Sequence, residues 1–312
     1  MAWATVIPLL SDATNNNTCE ISGLVIRKTR NMKTNLLILL LLPPFLLLIN
    51  SCGSISINEE LINASSIGWS SVVQSYIDQG ADVNAKGPER ITPLMAASYS
   101  GSIKSVYVLL NHGAKVDDVD NNNMTPLYYA SITGNYDIIK VLLDAGANPN
   151  IFASKGYSPL LVSMIDNHLI IANLLLDYGA DVNSTTKYGY TPLHCACYHG
   201  YTYFSERLIK NGSKINAKEK YFNHTPLMYA SSFGHTNIVK QLINAGADFD
   251  ATSTNECTAI MMADEVGFEE IVELLKVAGA EIPPQDKKCN QSTEDIKLII
   301  EKRTRQIDSS LD

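Results

Sequence analysis

A short sequence pattern returns along this chain about every 33 residues, and a repeat of that length limits the fold to a stack of similar units. Each unit opens with Thr or Ser followed by Pro-Leu, except the last, which opens with Thr-Ala-Ile. The six starting residues are Thr92, Thr125, Ser158, Thr191, Thr225 and Thr258. Their spacings are 33, 33, 33, 34 and 33 residues. One such unit cannot bury its apolar face alone, so neighbouring units must stack.

The residues within each unit predict two short helices. Thr or Ser is a favoured N-cap, and proline is tolerated at the first helical position because its missing N–H would have no partner there. Small residues such as Ala96 and Ala97 follow and allow close helix approach, and a glycine such as Gly101 ends the helix. In the third repeat Asn167 takes the place of that glycine and is expected to adopt the same positive φ. The second helix carries apolar residues at helical spacing, as in residues 138–142.

A second marker, Gly-Ala or Gly-Ser, ends the second helices in step with the first marker. Its glycines are Gly80, Gly113, Gly146, Gly179, Gly212, Gly246 and Gly279. A 33-residue period with Thr-Pro-Leu-His at 191–194 and Gly-Ala-Asp-Val-Asn at 179–183 resembles the ankyrin repeat. The resemblance covers residues 59–282. It implies an all-α ankyrin-repeat solenoid of stacked helix-turn-helix units with projecting finger loops, made of an N-terminal cap and six repeats.

A polar tail at residues 283–312 follows the repeats, which Pro283 and Pro284 are expected to end. Residues 292–295, Ser-Thr-Glu-Asp, have a capping-box pattern. An amphipathic stripe follows them, made of Ile296, Ile299, Ile300 and Ile307. Two interpretations stay open for this tail, a helix that covers the last repeat and a free, partly helical end.

An apolar block lies near the N-terminus, at residues 36–49. A membrane-spanning helix needs about 20 apolar residues, and Pro43 and Pro44 interrupt this shorter block. Its length suits the apolar core of a secretory signal peptide, with Lys33 as the positive start. We therefore predict a signal peptide at residues 32–51.

Cys52 directly follows this block. The sequence before it, Ile-Asn-Ser at residues 49–51, resembles the lipobox of bacterial lipoproteins. The resemblance implies that Cys52 is acylated and begins the mature chain, with residues 52–58 as a tether to the membrane. Residues 1–31 are interpreted as an upstream extension of the reading frame. The alternatives are an uncleaved anchor, or an ordinary signal peptide followed by a chance cysteine.

The net charge argues against a nucleic-acid partner. The chain carries a formal charge of -8, and loss of residues 1–51 removes four basic and two acidic residues, which leaves -10. Such a chain lacks the basic stripe that binding to nucleic acid or to anionic lipid requires. Its six cysteines are scattered without a CxxC pair, which is too sparse for a disulfide framework and wrongly spaced for structural zinc.

One cluster of chemically active side chains needs weighing, at residues 194–199 (His-Cys-Ala-Cys-Tyr-His). Zinc would need several of these side chains to converge on one point, whereas consecutive residues of a helix point in different directions. We therefore interpret Cys195 and Cys197 as packing residues. The sequence also holds no Gly-rich phosphate loop or nucleophile elbow. We predict that the chain is not an enzyme and uses no cofactor, metal or small-molecule substrate.

The ankyrin resemblance implies where a partner would bind. Its contact positions lie four, three and one residues before each Thr-Pro-Leu and seven and eight residues after the Thr. In the middle repeats this register predicts an aromatic-rich set of contacts: Tyr157, Tyr188, Tyr190, Tyr198, His199, Tyr221, Phe222, His224 and Phe233. Aromatic residues are enriched at binding hot spots. The alternative is that some of these rings pack on neighbouring fingers. Arg90 and Glu256 replace the family's glycine, so their fingers are expected to be distorted.

These features predict a protein–protein interaction scaffold, anchored by lipid to the bacterial cell envelope outside the cytoplasm. Two alternatives stay open: an accessory or regulatory subunit of an envelope enzyme, and a secreted effector that binds host proteins. Copurification of a stoichiometric enzyme would favour the first, and recovery free of membranes would favour the second.

Overall fold

Pairs of antiparallel helices form the repeats in the computed structural model of the chain, which describes residues 18–21, 24–27, 56–281 and 289. Fourteen α-helices lie within these residues. The seven pairs are Ile57–Ile67 (α1) with Ser70–Asp78 (α2), Pro93–Ser100 (α3) with Ile103–Asn111 (α4), Pro126–Thr133 (α5) with Tyr136–Asp144 (α6), Pro159–Ile165 (α7) with Leu169–Asp177 (α8), Pro192–His199 (α9) with Thr202–Lys210 (α10), Pro226–Ser232 (α11) with Thr236–Asn244 (α12), and Ala259–Val266 (α13) with Glu269–Ala278 (α14). The predicted all-α solenoid is confirmed.

The Thr-Pro-Leu start works as the sequence predicts. The backbone N–H of Met95 donates to Thr92 Oγ1 over 3.2 Å, and proline follows at the first helical position. Gly101 ends that helix with φ 80°, and Asn167 adopts φ 60° at the equivalent place in the third repeat. The last repeat differs, because Thr258 Oγ1 is buried and makes no hydrogen bond. An N-cap bond of this kind typically contributes about 1 kcal/mol.

The core lies between neighbouring repeats. Each first helix packs against its own second helix and against the first helix of the next repeat. Small residues at these contacts are fully buried, among them Ala97, Ala130 and Ala196. The leucine of each Thr-Pro-Leu, such as Leu127 and Leu160, is buried in the same interface. Small side chains therefore set the close spacing, and the leucines fill the space between them.

The finger loops lie side by side along the solenoid. One backbone hydrogen bond joins each finger to the next. These bonds run from the N–H of Asn121 to Glu89 O (3.0 Å), Ser154 to Asn122 O (2.6 Å), Lys187 to Lys155 O (2.7 Å), Lys220 to Tyr188 O (2.8 Å) and Thr254 to Phe222 O (2.8 Å). The finger tips consequently form one continuous row.

The expectation that Arg90 and Glu256 distort their fingers was wrong. They adopt φ 63° and 57°, in the left-handed region that Gly189 occupies at the same place in the fourth finger. The sixth finger also keeps its closing bond, from Ser253 N–H to Cys257 O over 2.9 Å. A non-glycine residue can occupy this region at a cost of about 1–2 kcal/mol. The strain falls on Glu256 in the sixth finger and on Glu89 (φ 53°) and Arg90 in the first, which keeps its closing bond from Gly87 N–H to Ile91 O.

A disulfide corrects the expectation drawn from the scattered cysteines. Cys257, in the sixth finger, is bonded to Cys289, with 5.3 Å between the two Cα atoms. The pair is 32 residues apart in sequence, so neither a CxxC spacing nor any local pattern announces it. The bond ties residue 289 to the last repeat.

Two short strands lie in a unit of the chain separate from the helices. Thr18–Ile21 (β1) pairs antiparallel with Leu24–Arg27 (β2), with Thr18 opposite Arg27. The prediction of an upstream extension did not anticipate this hairpin. The predicted signal peptide at 32–51, Cys52 and the isoleucine stripe that begins at Ile296 lie outside the described residues.

Close contact between fingers should make a substitution at Gly156 more destabilising than one at a glycine with open space around it. A Cβ added there would lie 2.7 Å from Thr185 O in the next finger, whereas a Cβ at Gly113 would meet nothing within 4 Å. Both glycines have positive φ (83° and 84°), so alanine is strained at either site. We expect Gly113→Ala to cost about 1 kcal/mol and Gly156→Ala at least about 1 kcal/mol more, measured by urea unfolding. Equal losses of stability in the two variants would mean that the third and fourth fingers do not need this close approach.

Candidate partner-binding surface

Two tyrosines from neighbouring fingers meet at the row of finger tips. The ring centroids of Tyr188 and Tyr221 are 5.1 Å apart, with 42° between the ring planes. Tyr221 is 49% exposed and Tyr188 is half-buried. Lys187 Nζ lies 4.8 Å from the Tyr188 ring centroid. The pKa of Tyr188 is lowered, and its hydrogen bond with Lys187 is the largest cause. The tip thus combines aromatic area with positive charge.

A buried carboxylate holds the fifth finger in shape. Glu219 accepts the backbone N–H of Tyr221 and of Phe222, each over 2.8 Å, and that of His224 over 3.4 Å. Asp120 does the same in the second finger, where it accepts the N–H of Met124 over 2.7 Å. The fifth finger is one residue longer, and the extra methylene of glutamate spans the longer loop. Sequence reasoning did not single out Glu219, although its place just upstream of the insertion was the available signal.

A second aromatic cluster lies at the ends of α9 and α11. Tyr198 and Phe233 pack edge to face with centroids 4.7 Å apart, and both are half-buried. His199 is exposed and stacks on Tyr201, with centroids 5.1 Å apart and 9° between the planes. Partial desolvation, and secondarily the nearby His235, lower the pKa of His199. Phe222, also half-buried, stacks on His224 with centroids 5.3 Å apart.

Three of the predicted contact residues are buried, so their assignment to the surface is corrected. Tyr157, Tyr190 and His224 are 6%, 8% and 1% exposed. Each immediately precedes the N-cap of a first helix, where a side chain packs beside the first turn. Tyr190 stacks on His194 at 5.5 Å and meets Tyr229 edge to face at 6.0 Å. These rings stabilise the solenoid from inside.

The remaining six residues are accessible and form what we call the aromatic strip: Tyr188, Tyr198, His199, Tyr221, Phe222 and Phe233. They come from the fourth and fifth repeats. The strip has two parts. Tyr188, Tyr221 and Phe222 lie in the fingers, and Tyr198, His199 and Phe233 lie at the ends of the first helices. Some rings of the predicted contact set are therefore accessible, and the others are packed inside the solenoid.

His194 is part of the packing between repeats. It is fully buried, and its Nε2 donates to His224 O over 3.1 Å because a carbonyl can only accept. Nδ1 accepts from the hydroxyl of Thr191 over 2.8 Å. Both nitrogens are thus occupied within the protein. The adjacent Cys195 and Cys197 are fully buried, and burial raises the pKa of both thiols. Among the described residues, no group of three or more His, Cys, Asp or Glu side chains could hold a metal ion.

Burial of His194 should make stability depend on acidity. Desolvation is the main cause that lowers its pKa from 6.5 to about 4. Between these values the unfolded chain binds the proton more readily, so stability falls as the pH drops from 6.5 to 4 and the loss reaches about 3 kcal/mol. We expect His194→Gln to be less stable at pH 7 but to show a shallower fall in urea midpoint across this window. Parallel profiles for the two proteins would contradict this role of His194.

Comparison with known proteins agrees with this geometry. A family model described as "Ankyrin repeats (3 copies)" matches residues 61–153, 152–219 and 203–286. No curated protein sequence matches the chain. The crystal structure of the human ASB11 ankyrin repeat domain is similar, with a TM-score of 0.58 and 24% identity over 72% of this chain and 98% of that one. That likeness concerns the fold alone. Because the family model matches well over half of the 312 residues, the chain belongs to the ankyrin repeat family.

Proposed function

We propose that this protein is a non-enzymatic scaffold that holds another protein on the aromatic strip. The observation that carries the proposal is the pairing of Tyr188 with Tyr221 on neighbouring finger tips, with Tyr221 about half exposed. Aromatic side chains supply a large contact area at a low entropic cost. Buried Glu219 and the backbone bond from Lys220 to Tyr188 hold both tips before a partner arrives. A surface ordered in advance loses little entropy on binding.

Binding should depend on these two tyrosines and not on tyrosines in general. The double variant Tyr188→Ala/Tyr221→Ala should capture its protein partner from detergent-solubilised envelope at least tenfold more weakly than the unchanged chain, because two central aromatic contacts are removed. The matched control is Tyr107→Ala/Tyr203→Ala, which removes two exposed tyrosines, 48% and 61% exposed, from the second helices. It should bind normally.

A stability control separates binding from folding. Tyr190→Ala removes a buried ring and should cost about 3–5 kcal/mol of stability, whereas the Tyr188/Tyr221 variant should keep the melting temperature of the unchanged chain. If that double variant unfolds, or captures the partner as well as the Tyr107/Tyr203 control does, the strip is not the binding surface. Recovery of a stoichiometric enzyme with the unchanged chain would identify the scaffold as an accessory subunit.

The proposed location is the outer side of a bacterial membrane, with Cys52 carrying the lipid anchor. The apolar block at 36–49 and the Ser-Cys pair after it support this proposal. The Cys257–Cys289 disulfide is independent support, because such bonds persist in oxidising compartments. Within the described part of the chain, no helix combines the length and the apolar character that crossing a membrane requires.

Acylation can be tested directly at Cys52. In a bacterial host, the unchanged chain should incorporate radiolabelled palmitate and sediment with membranes, whereas Cys52→Ala should do neither. Cys19→Ala, which alters the other cysteine upstream of the repeats, is the control and should label normally. Persistent labelling of Cys52→Ala would exclude this anchor. An unlabelled chain found in the medium would favour the secreted alternative.

A further inference from the structure

The three middle fingers carry a net positive charge that the first, second and sixth fingers lack. These fingers, residues 147–157, 180–190 and 213–224, contain five lysines and two acidic residues, a net charge of +3 in a chain of -8. The lysines are Lys155, Lys187, Lys214, Lys218 and Lys220. A positive region on a molecule of negative net charge attracts negatively charged partners to that part of its surface.

The two acidic residues of these fingers do not neutralise the tips. Asp181 lies at the base of the fourth finger, where its carboxylate accepts the N–H of Asn183 over 2.8 Å. Glu219 is fully buried and accepts the backbone N–H groups of its own loop. Both carboxylates thus face backbone donors, while Lys187, Lys218 and Lys220 are exposed.

Backbone bonds place the lysines next to one another and next to the paired tyrosines. The N–H of Lys187 donates to Lys155 O over 2.7 Å, and that of Lys220 donates to Tyr188 O over 2.8 Å. Lys187 also lies over the Tyr188 ring, which packs at a tilt against Tyr221. Smaller contributions from the charges of Lys187 and Lys155 add to the lowering of the Tyr188 pKa, which is consistent with this proximity.

The positive region is bounded on both sides. The second finger, residues 114–124, carries Asp117, Asp118 and Asp120 against one lysine, and the sixth, residues 247–257, carries three acidic residues and no lysine. A ligand that follows the positive charge is therefore confined to the third, fourth and fifth fingers. Nucleic acid suits this surface poorly, because its binding needs several phosphate contacts and the acidic flanks repel the rest of the strand.

We propose that the middle fingers bind an extended, acidic segment of the partner protein, with its carboxylates on Lys155, Lys187 and Lys220 and an apolar or aromatic side chain on the Tyr188–Tyr221 pair. This inference rests on the proposed binding function and names the chemistry of the partner. The charges select the segment and speed its association, and the tyrosines supply the buried contact. The bounded positive region fixes where along the solenoid the segment lies.

Selection of displayed random 12-residue peptides on the full-length protein, in non-ionic detergent, tests the proposal. Selected peptides should be enriched in Asp and Glu, and should bind Lys155→Gln/Lys187→Gln/Lys220→Gln at least tenfold more weakly than the unchanged protein in about 0.1 M salt, where screening is still moderate. The matched control is Lys104→Gln/Lys210→Gln/Lys240→Gln, which removes the same charge from exposed lysines of the second helices. It should bind as the unchanged protein does.

The outcomes separate this inference from the proposed function. Peptides that need Tyr188 and Tyr221, show no acidic bias and bind both lysine variants equally would overturn the acidic partner and leave the scaffold intact. Failure to select any peptide sensitive to the tyrosine pair would overturn both. An oligothymidine of about 20 nucleotides that displaces the peptides and binds more tightly than they do would replace the protein segment with single-stranded nucleic acid.

Discussion

Each repeat of this protein exists as a folded unit only because the next repeat covers it. A single pair of short helices exposes nearly as much apolar surface as it buries, and helices of seven to eleven residues are marginal in isolation. Burial is completed by close contact between successive first helices, where Ala97, Ala130 and Ala196 leave no gap and Leu127 fills the interface. Small residues at these contacts therefore fix the distance between successive first helices, and with it the distance between the fingers that join the repeats.

The finger row inherits that spacing. Neighbouring fingers come near enough for a backbone hydrogen bond, and near enough that Gly156 has no room for a Cβ against Thr185. Loops held in this way need no strands or metal to keep their shape. The cost is local strain, as at Glu256, whose φ of 57° keeps the sixth finger regular without glycine. The fifth finger accommodates its extra residue because Glu219 reaches three backbone donors.

A rigid row of tips turns residues that are far apart in sequence into one surface. Lys155 and Lys220 are separated by two repeats in the chain, yet each bonds through its backbone to the fourth finger between them. The tyrosine pair, also joined across two fingers, lies in the same region. Order before contact lowers the entropic cost of binding at such a surface, since side chains on separate flexible loops would have to be ordered by the partner. At the end of the row the Cys257–Cys289 bond adds a covalent tie to the last repeat.

The sequence by itself determined the repeat, the helix pairs and the helix boundaries, because these depend on neighbours a few residues away. Thr92 caps a helix through Met95, and Asn167 turns the chain by its own φ, so both could be predicted locally. Only the tertiary structure decided which predicted contacts are accessible. Tyr188 and Tyr190 occupy the same finger, yet Tyr190 is buried against His194 and Tyr229 while Tyr188 remains half-buried beside Tyr221. Tyr190 immediately precedes an N-cap, a local position where side chains pack beside the first turn, but the Tyr229 ring that covers it belongs to the adjoining repeat. A separation of 32 residues likewise hid the pairing of Cys257 with Cys289.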